Sequence, residues 1–278
     1  MNARDAMRRA EGQLAAAGVE APRLEARLLV GAAVGMREFW SADHILDPDI
    51  EQRLAGFVRR RLAHEPLAYI LGRKEFWSLD LCVGPGVLVP RPETELLIEE
   101  LGREFPDRSA PLHLVDFGTG SGNLLVAALM TYPQATGVGI DRSQFALEWA
   151  RHNVERHALE QRCVLLHQDW TLGTARKADA VLANPPYIRE AELQELPPDV
   201  GGHEPASALS GGPDGLAAYR SLAPRIAHTL KPEGSALLEI GAGQATSVSA
   251  VLSESGLEVL RVAADLAGIP RCIVCGIA

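Results

Sequence analysis

The sequence is poor in the features that mark secreted or membrane proteins. Four cysteines in 278 residues are too few for a disulfide framework and favour a reducing compartment. No apolar run is long enough to span a bilayer. The first residues, MNARDAMRRAEGQL, lack the apolar core of a signal peptide, and Asp5 and Glu11 argue against a transit peptide. We therefore expect a cytoplasmic globular protein with no membrane contact.

Positive charge is also scarce. The chain has a net charge of −9, and residues 1–75 contribute 12 basic and 11 acidic groups to it. The remainder holds 15 basic and 25 acidic groups. A domain that neutralises phosphates usually carries a basic stripe, so this composition argues against a direct nucleic-acid partner without excluding one.

The apolar content of 47% is enough for one large or two modest cores. Residues 1–73 have helical periodicity, with helices predicted at 3–17, 22–34 and 48–63, and we expect a small helical bundle. The Arg59-Arg60-Arg61 run is predicted to be a solvated helix face, with a docking patch for an acidic partner as the minority reading. Residues 74–90, broken by Gly84-Pro85-Gly86, predict a β-hairpin linker.

Strands and helices alternate from residue 91 to residue 278. Such alternation predicts an α/β domain with a mainly parallel sheet, covered on both faces, whose ligands bind beyond the carboxyl ends of the strands. The strands are predicted at 113–117, 136–141, 163–168, 178–183, 235–240, 258–263 and 271–276. The helices are predicted at 90–105, 122–131, 143–157, 216–230 and 242–253.

The first of these strands ends in a glycine-rich loop whose candidate ligand-binding residues are Asp116, Gly118, Thr119, Gly120, Ser121 and Gly122. Glycines let a backbone turn sharply and approach a ligand closely. A dinucleotide fingerprint needs G-x-G-x-x-G, but Asn123 stands where its third glycine belongs. Asp116 would also repel a pyrophosphate, so the loop suits a cationic or zwitterionic ligand.

Three further strand ends carry candidate ligand-binding side chains. Asp141 ends the second strand about 20 residues after the loop, a position that typically holds ribose hydroxyls. Asp169 and Trp170 follow the third strand, where an acid can accept from an exocyclic amine and an indole can cover an adenine face. The fourth strand runs into Asn184-Pro185-Pro186-Tyr187. All four strand ends therefore point at one crevice.

The tetrapeptide suggests how a poorly nucleophilic planar nitrogen could be prepared for reaction. Two prolines remove backbone donors and stiffen the chain, which leaves rigid acceptors. The side-chain oxygen of Asn184 and the carbonyl of Pro185 could each accept one target N–H, while Tyr187 gives a flat wall. Catalysis would then rest on orientation, which can supply roughly 7–11 kcal/mol of a barrier.

The four strand ends resemble those of S-adenosylmethionine-dependent methyltransferases, and Asn-Pro-Pro-Tyr resembles the subset that methylates planar amino groups. A longer ordered set of motifs resembles the release-factor glutamine methyltransferases, the HemK or PrmC family. The set comprises Glu65-Pro-Leu-Ala-Tyr-Ile-Leu-Gly72, Glu75-Phe76, Pro90-Arg-Pro-Glu-Thr-Glu95, Asn184-Pro-Pro-Tyr-Ile188, Glu204-Pro205, Gly215-Leu216, Leu238-Glu-Ile-Gly241, Asp265-Leu-Ala-Gly268 and Arg271. The chain departs from the family pattern at His203 and Pro270.

The resemblance implies a Rossmann-like methyltransferase domain behind a helical, substrate-docking domain. It also implies N5-methylation of the glutamine in the Gly-Gly-Gln loop of class 1 peptide-chain release factors, which act in translation termination. By position, S-adenosyl-L-methionine would lie on the loop 118–122, Asp141 and Trp170, and leave as S-adenosyl-L-homocysteine. The glutamine would lie on residues 184–187. We expect a monomer.

Two alternatives remain open at this stage. An adenine-type nucleic-acid methyltransferase should carry a basic surface, which the acidic composition does not favour. An inactive cofactor-binding module is disfavoured by the intact tetrapeptide.

Other motifs predict structure more than chemistry. Cys272 and Cys275 should face opposite sides of a strand, so core packing is expected and no metal is predicted. The eight histidines show no metal-ligand spacing. Residues 188–215 are predicted to be a long loop that shapes the substrate site.

Overall fold

The structure, a computed structural model, describes residues 1–35 and 40–278. The chain divides into two compact units. The helical unit comprises residues 1–73 and 197–203, and the α/β unit comprises residues 74–196 and 204–278. Across the two described ranges, no helix is both long enough and apolar enough to cross a membrane.

The helical unit contains α1 (Ala3–Ala16), α2 (Pro22–Val34), α3 (Pro48–Leu62), α4 (Leu67–Leu71) and, from the later segment, α8 (Pro198–Gly201). The side chains of Asn2 and Asp47 cap α1 and α3 by accepting from backbone N–H groups three residues ahead, each at 2.8 Å. Proline at the first position of α2 and α3 needs no N–H there. The predicted helical bundle is confirmed.

The core of this unit forms because small and apolar residues recur on one face of α1. Its buried members are Ala3, Ala6, Ala10 and Leu14, and they pack with Leu29, Val30, Leu54 and Val58 of α2 and α3. Small alanines let the helices approach closely, and the spacing of three and four residues is the helical repeat.

The prediction that the Arg59-Arg60-Arg61 run on α3 is a solvated face is only partly correct. Arg60 binds Glu65 through its guanidinium nitrogens, with Nε to Oε2 at 2.7 Å. Arg61 is only 10% exposed, binds Glu25 at 2.7 Å and approaches Asp199 at 3.7 Å. Two of the three arginines therefore form ion pairs inside their own unit. Glu65 is close to Arg60 in sequence, whereas folding brings the distant Glu25 and Asp199 to Arg61.

A short hairpin, β1 (Arg73–Phe76) and β2 (Leu79–Cys82), confirms the predicted hairpin signal. Its two-residue turn places Trp77 and Ser78 at positive φ (52° and 60°), the geometry of a type I′ turn. The backbone N–H groups of these residues donate to Glu95 and Glu75 at 2.8 and 2.7 Å, which compensates for the strained turn. This accounts for two acidic residues of the ordered motifs.

The α/β unit is built on a seven-stranded sheet in the order β5-β4-β3-β6-β7-β9-β8. Its strands are β3 (His113–Phe117), β4 (Thr136–Asp141), β5 (Cys163–His167), β6 (Ala178–Ala183), β7 (Leu230–Glu239), β8 (Leu257–Ala264) and β9 (Pro270–Ile277). Its longer helices are α5 (Glu95–Glu104), α6 (Asn123–Thr131), α7 (Gln144–Arg156), α10 (Ala217–Thr229) and α11 (Ala245–Glu254). The pairs from β5 through β7 are parallel, and β9 is antiparallel to both neighbours. The predicted Rossmann-like, mainly parallel sheet is confirmed.

Two apolar clusters cover the two faces of the sheet. One contains the buried side chains of α5 and α6, and the other contains those of α10 and α11. Cys272 belongs to the first cluster and Cys275 to the second, and both thiols are free. The predicted core packing of these cysteines on opposite faces of β9 is confirmed. Pro270 starts β9, a strand position that tolerates a missing N–H donor.

The region predicted as a long loop, 188–215, is partly helical. It contains a 3-10 helix at Glu190–Glu195, then α8, and then α9 (Ala206–Leu209). Its two ends are joined, since Ile188 N–H donates to Leu209 and Gly211 N–H donates to Ile188 (3.0 and 2.8 Å). Helices of four residues are too short to give a periodic sequence signal.

Candidate active site

The change of chain direction in the sheet creates a crevice beside β3. The chain moves outward from β3 to β4 and β5, then returns to place β6 on the other side of β3. Ligands of open parallel sheets bind at this switch point, outside the carboxyl ends of the strands. The glycine loop after β3 and the tetrapeptide after β6 are therefore neighbours, although more than 60 residues separate them in the chain.

A cavity lies at this switch point. Among the predicted site residues, its walls include Gly118, Thr119, Gly120, Ser121, Asp141, Trp170, Asn184 and Pro186. Asp116, Gly122, Asp169, Pro185 and Tyr187 are not among the lining residues. The structure thus brings together residues from the ends of four strands and adds Arg91 and Thr94, which precede α5.

The glycine loop needs its three glycines because Gly118, Gly120 and Gly122 all adopt positive φ (75°, 57° and 79°). A Cβ on Gly118 would meet the Trp170 ring at 3.4 Å. The loop is held to the next strand, since the N–H groups of Gly118 and Thr119 both donate to the Ile140 carbonyl. The backbone therefore passes close to the cavity with no side chain at these points.

Asp116 supports the loop from behind. It is 1% exposed and accepts a hydrogen bond from the Thr119 hydroxyl at 2.6 Å. Burial raises the pKa of this carboxyl to about 7, with the neighbouring Asp141 acting in the same direction. Its visible role is to fix the loop.

Asp141 lies in the cavity wall at the end of β4. One of its oxygens accepts from Gly120 N–H at 2.9 Å and the other from Ser143 N–H at 2.8 Å. Burial raises the pKa of this carboxyl, and the backbone donors oppose that shift. The carboxylate thereby joins the loop after β3 to the start of α7.

Trp170 and Asp169 have different surroundings. The indole of Trp170 is half-buried, and its N–H donates to the Ser221 hydroxyl at 2.9 Å, which holds the ring against the cavity. Asp169 is exposed and caps the short turn after it, because its Oδ1 accepts from the N–H and hydroxyl of Thr171. These bonds lower the pKa of Asp169.

The side chains and backbone of the tetrapeptide are held by residues to which the sequence analysis assigned no role. Asn184 donates through Nδ2 to Thr94 Oγ1 at 3.1 Å. The Tyr187 hydroxyl donates to Glu239 at 3.2 Å, and the Gln244 side-chain amide donates to the Tyr187 carbonyl at 3.0 Å. Thr94 and Glu239 lie in the ordered motifs, and this position could have indicated that they belong to the site. No motif of the sequence includes Gln244.

Two glycines of the ordered motifs make room for Tyr187. A Cβ on Gly215 would lie 2.6 Å from the Tyr187 carbonyl oxygen. A Cβ on Gly241 would lie 3.0 Å from a ring carbon of Tyr187 and closer still to Gln244. Side chains at either position would displace the tetrapeptide.

Glu204 fixes another wall of the cavity. Its side chain is buried and accepts from Val89 N–H at 3.2 Å and from Arg91 at 2.5 Å. Pro205, Ser207 and Ala208, which follow it, line the cavity. The Glu204-Pro205 motif thus joins the segment before α5 to the start of α9.

No cluster of three or more His, Cys, Asp or Glu side chains suited to a metal ion occurs in residues 1–35 and 40–278.

A mainly parallel seven-stranded sheet with a glycine loop, an acidic second strand end and a polar switch-point cavity defines a Rossmann-like methyltransferase. In agreement with this class, residues 92–196 match the family model "Methyltransferase small domain". A ribosomal protein L11 methylase from Lactobacillus delbrueckii has a similar fold, with a TM-score of 0.50 and 19% identity, over 70% of this chain and 83% of that one.

Residues 5–72 match the model of the PrmC N-terminal domain. A release factor glutamine methyltransferase from Caulobacter vibrioides is 41% identical over 272 residues, covering 95% of this chain and 93% of that protein. Another from Moorella thermoacetica is 40% identical over 280 residues, covering 99% and 98%. The chain belongs to the release factor glutamine methyltransferase family, a family of protein-(glutamine-N5) methyltransferases.

Proposed function

We propose that this chain transfers a methyl group from S-adenosyl-L-methionine to N5 of the glutamine in the Gly-Gly-Gln motif of class 1 release factors, in the cytoplasm and as a monomer. The observation that carries the proposal is the setting of Asn184. Its amide nitrogen is engaged by Thr94, and its Oδ1 has no hydrogen-bond partner within residues 1–35 and 40–278. An acceptor is therefore available in the cavity for a target N–H.

The residues around the cavity fit the proposed cofactor. Positive φ at three glycines leaves the loop 118–122 bare, so a ligand can approach its backbone. The Asp141 carboxylate would hold the ribose hydroxyls, and the face of Trp170 would cover part of the nucleoside. When bound, S-adenosyl-L-methionine supplies an electrophilic methyl group and leaves as S-adenosyl-L-homocysteine. Asp169 would accept a hydrogen bond from the exocyclic amine.

On the substrate side, the chain's own residues position the nitrogen. Asn184 Oδ1 and the Pro185 carbonyl would each accept one N–H of the glutamine amide, which holds the nitrogen lone pair toward the incoming methyl group. After the transfer, the methylated nitrogen would lose one proton to water. Pro186 and the flat side of Tyr187 would contact the amide plane. Since an amide nitrogen is weakly nucleophilic, fixing its approach is the main catalytic contribution proposed here.

Recognition of the folded release factor is proposed to involve the helical unit. A groove between α1 and α3 has an apolar floor that includes Leu54 and Val58, and its rim carries Arg9 and Arg59. Neither arginine forms an ion pair within the part of the chain that the structure describes. An acidic surface of the partner would complement this groove.

The proposal is tested with labelled methyl donor offered separately to purified release factor, DNA and RNA. We expect label in release factor, at the Gly-Gly-Gln glutamine by mass spectrometry, and none in the nucleic acids. Calorimetry should show binding of S-adenosyl-L-methionine and no comparable binding of NAD. Labelled DNA or RNA with unlabelled release factor would replace this proposal with an adenine-type activity.

A further inference from the structure

A relay of hydrogen bonds runs from the tetrapeptide, through Thr94 in the cavity wall, to Glu239 at the end of β7. Asn184 Nδ2 donates to Thr94 Oγ1 at 3.1 Å, and the Thr94 hydroxyl donates to Glu239 Oε2 at 2.5 Å. The Tyr187 hydroxyl donates to the other Glu239 oxygen at 3.2 Å. Thr94 and Glu239 are each 1% exposed, so water does not compete for these bonds.

The direction of the relay follows from proton counting. When Glu239 is ionised, both of its oxygens can only accept, so the bond to Glu239 uses the single hydrogen of the Thr94 hydroxyl. The Thr94 oxygen can then only accept, so it takes the NH₂ end of the Asn184 amide and not the carbonyl end. The oxygen and NH₂ ends of an asparagine amide have the same shape, and the hydrogen bond to Thr94 determines which end faces which way.

The consequence concerns the atom that Asn184 offers to a ligand. With Nδ2 held by Thr94, Oδ1 is the end left for the cavity. With the amide reversed, an NH₂ group would face the NH₂ of the target, and two donors repel each other. The relay therefore selects for a target nitrogen that still carries hydrogens.

We propose that Thr94 and Glu239 are positioning residues that fix the Asn184 amide with its acceptor oxygen toward the substrate, and so restrict the site to N–H donors such as a primary amide. The inference rests on the proposed function, because it assumes that Asn184 binds the target nitrogen. It gives a role to two residues from distant parts of the chain, 145 positions apart.

The kinetic test compares Thr94→Val, which keeps the shape and removes the hydroxyl, with Thr94→Ser, which keeps the hydroxyl. We expect Thr94→Val to lower kcat on the order of 100-fold, as misplacement of a reacting group does, with little change in cofactor Kd. Thr94→Ser should restore most of the rate. Thr131→Val is the matched control, because it removes a hydroxyl that bonds Trp77 and Ala127 at the far end of α6, and it should keep the wild-type kcat.

A double variant distinguishes positioning of Asn184 by Thr94 from a general loss of structure. If Thr94 acts through Asn184, then Asn184→Ala combined with Thr94→Val should be no slower than Asn184→Ala alone. Glu239→Gln should also lower kcat, because a glutamine cannot accept from both hydroxyls. Wild-type kcat in Thr94→Val, or losses that multiply in the double variant, would overturn the inference.

A second measurement does not depend on turnover. The chain has four asparagines, at positions 2, 123, 153 and 184, so ¹⁵N-asparagine labelling gives four side-chain amide signals, and Asn184→Ala identifies one of them. We expect slow hydrogen exchange at the Asn184 side chain in the wild type and faster exchange in Thr94→Val, with the other three signals unchanged. Unchanged exchange at Asn184 would contradict the relay. A wild type that does not methylate release factor would instead contradict the proposed function and leave this readout intact.

Discussion

At the scale of single residues, Asn184 is the side chain on which the proposed chemistry depends most. Asn184→Ala should leave cofactor affinity nearly unchanged and lower the rate of methyl transfer strongly, because the lost interaction matters in the transition state. Single-turnover rates at saturating cofactor measure this. Asn2→Ala is a suitable control, since it removes a helix cap in the helical unit and not a cavity residue. A near-normal rate in Asn184→Ala would remove Asn184 from the mechanism.

Asp116 makes stability depend on pH near neutrality. Its pKa is about 7 in the folded chain against an ordinary value of 3.8, so between these values the folded state holds a proton that the unfolded state releases. Stability is therefore lost as pH rises toward and through 7. From pH 6 to pH 8 the contribution of this group to the free energy of unfolding should fall on the order of 1 kcal/mol.

Asp116→Asn should flatten that dependence, which chemical denaturation at pH 6 and pH 8 can measure. Asp214→Asn is the control, because the pKa of this exposed carboxyl is about 2 and its titration is complete well below pH 6. Glu239, whose pKa burial raises to about 7, should keep part of the slope in both variants. Equal slopes in wild type and Asp116→Asn would contradict the assignment.

Several of the predicted residues line the cavity, and the sequence signals that marked them are local. Gly118, Gly120 and Gly122 follow a strand directly, and a loop at that place needs their freedom of φ. The sequence alone assigns no role to Thr94 and Glu239, because each acts through a hydrogen bond to a residue distant in the chain. The same holds for Gln244, whose amide holds the Tyr187 carbonyl.

At the scale of elements, the glycines of β4 show how a strand is built to receive a helix. A Cβ on Gly137 would lie 2.6 Å from Leu125 of α6, and one on Gly139 would crowd Leu125, Leu165 and Thr119. These glycines let α6 pack closely on the sheet, directly behind the glycine loop. Because Gly137 and Gly139 have no side chains, α6 can pack closely on β4, and this packing supports the glycine loop that precedes α6.

Gly137→Ala should destabilise the α/β unit by about 1–3 kcal/mol, the usual cost of overpacking a core. Gly12→Ala in α1 is the matched change, because a Cβ there meets nothing within 4 Å and alanine favours helix, so the helical unit should gain about 0.5–1 kcal/mol. Amide hydrogen exchange followed separately in each unit distinguishes the two effects. Protection in the α/β unit that survives Gly137→Ala would show that α6 can move away at little cost.

Elements were predicted best where a periodic pattern extends over several turns or a full buried strand. The strands β3, β4 and β6 begin and end as expected, because each is a short apolar run closed by glycine, aspartate or asparagine. The segment 188–215 was misjudged as a loop, since a four-residue helix such as α9 has too few turns to show a period. Arg61 was misjudged as solvated because Glu25 and Asp199 are brought to it only by folding.

At the scale of the whole molecule, charge is divided between the two parts of the chain. The first 75 residues are nearly neutral and the rest carry a large acidic excess. An acidic protein partner would be repelled by most of the chain and least by the helical unit. Arg9 and Arg59 line the α1–α3 groove and form no ion pair within residues 1–35 and 40–278, which makes that groove the proposed docking surface.

Charge reversal at this groove tests docking without deleting a unit. Arg9→Glu with Arg59→Glu should raise KM for intact release factor on the order of tenfold and leave kcat unchanged, because docking contacts are equal in ground and transition states. A short Gly-Gly-Gln peptide, which lacks the acidic surface of a folded partner, should react with unchanged kinetics. Arg8→Glu, compared with Arg9→Glu alone, is the matched control, since Arg8 neighbours Arg9 in α1 but does not line the groove. The difference between variant and wild type should shrink as salt screens exposed charges. If Arg8→Glu raised KM as much as Arg9→Glu does, the effect would come from net charge and not from the groove. If KM were unchanged in the double variant, the groove would not be the docking surface.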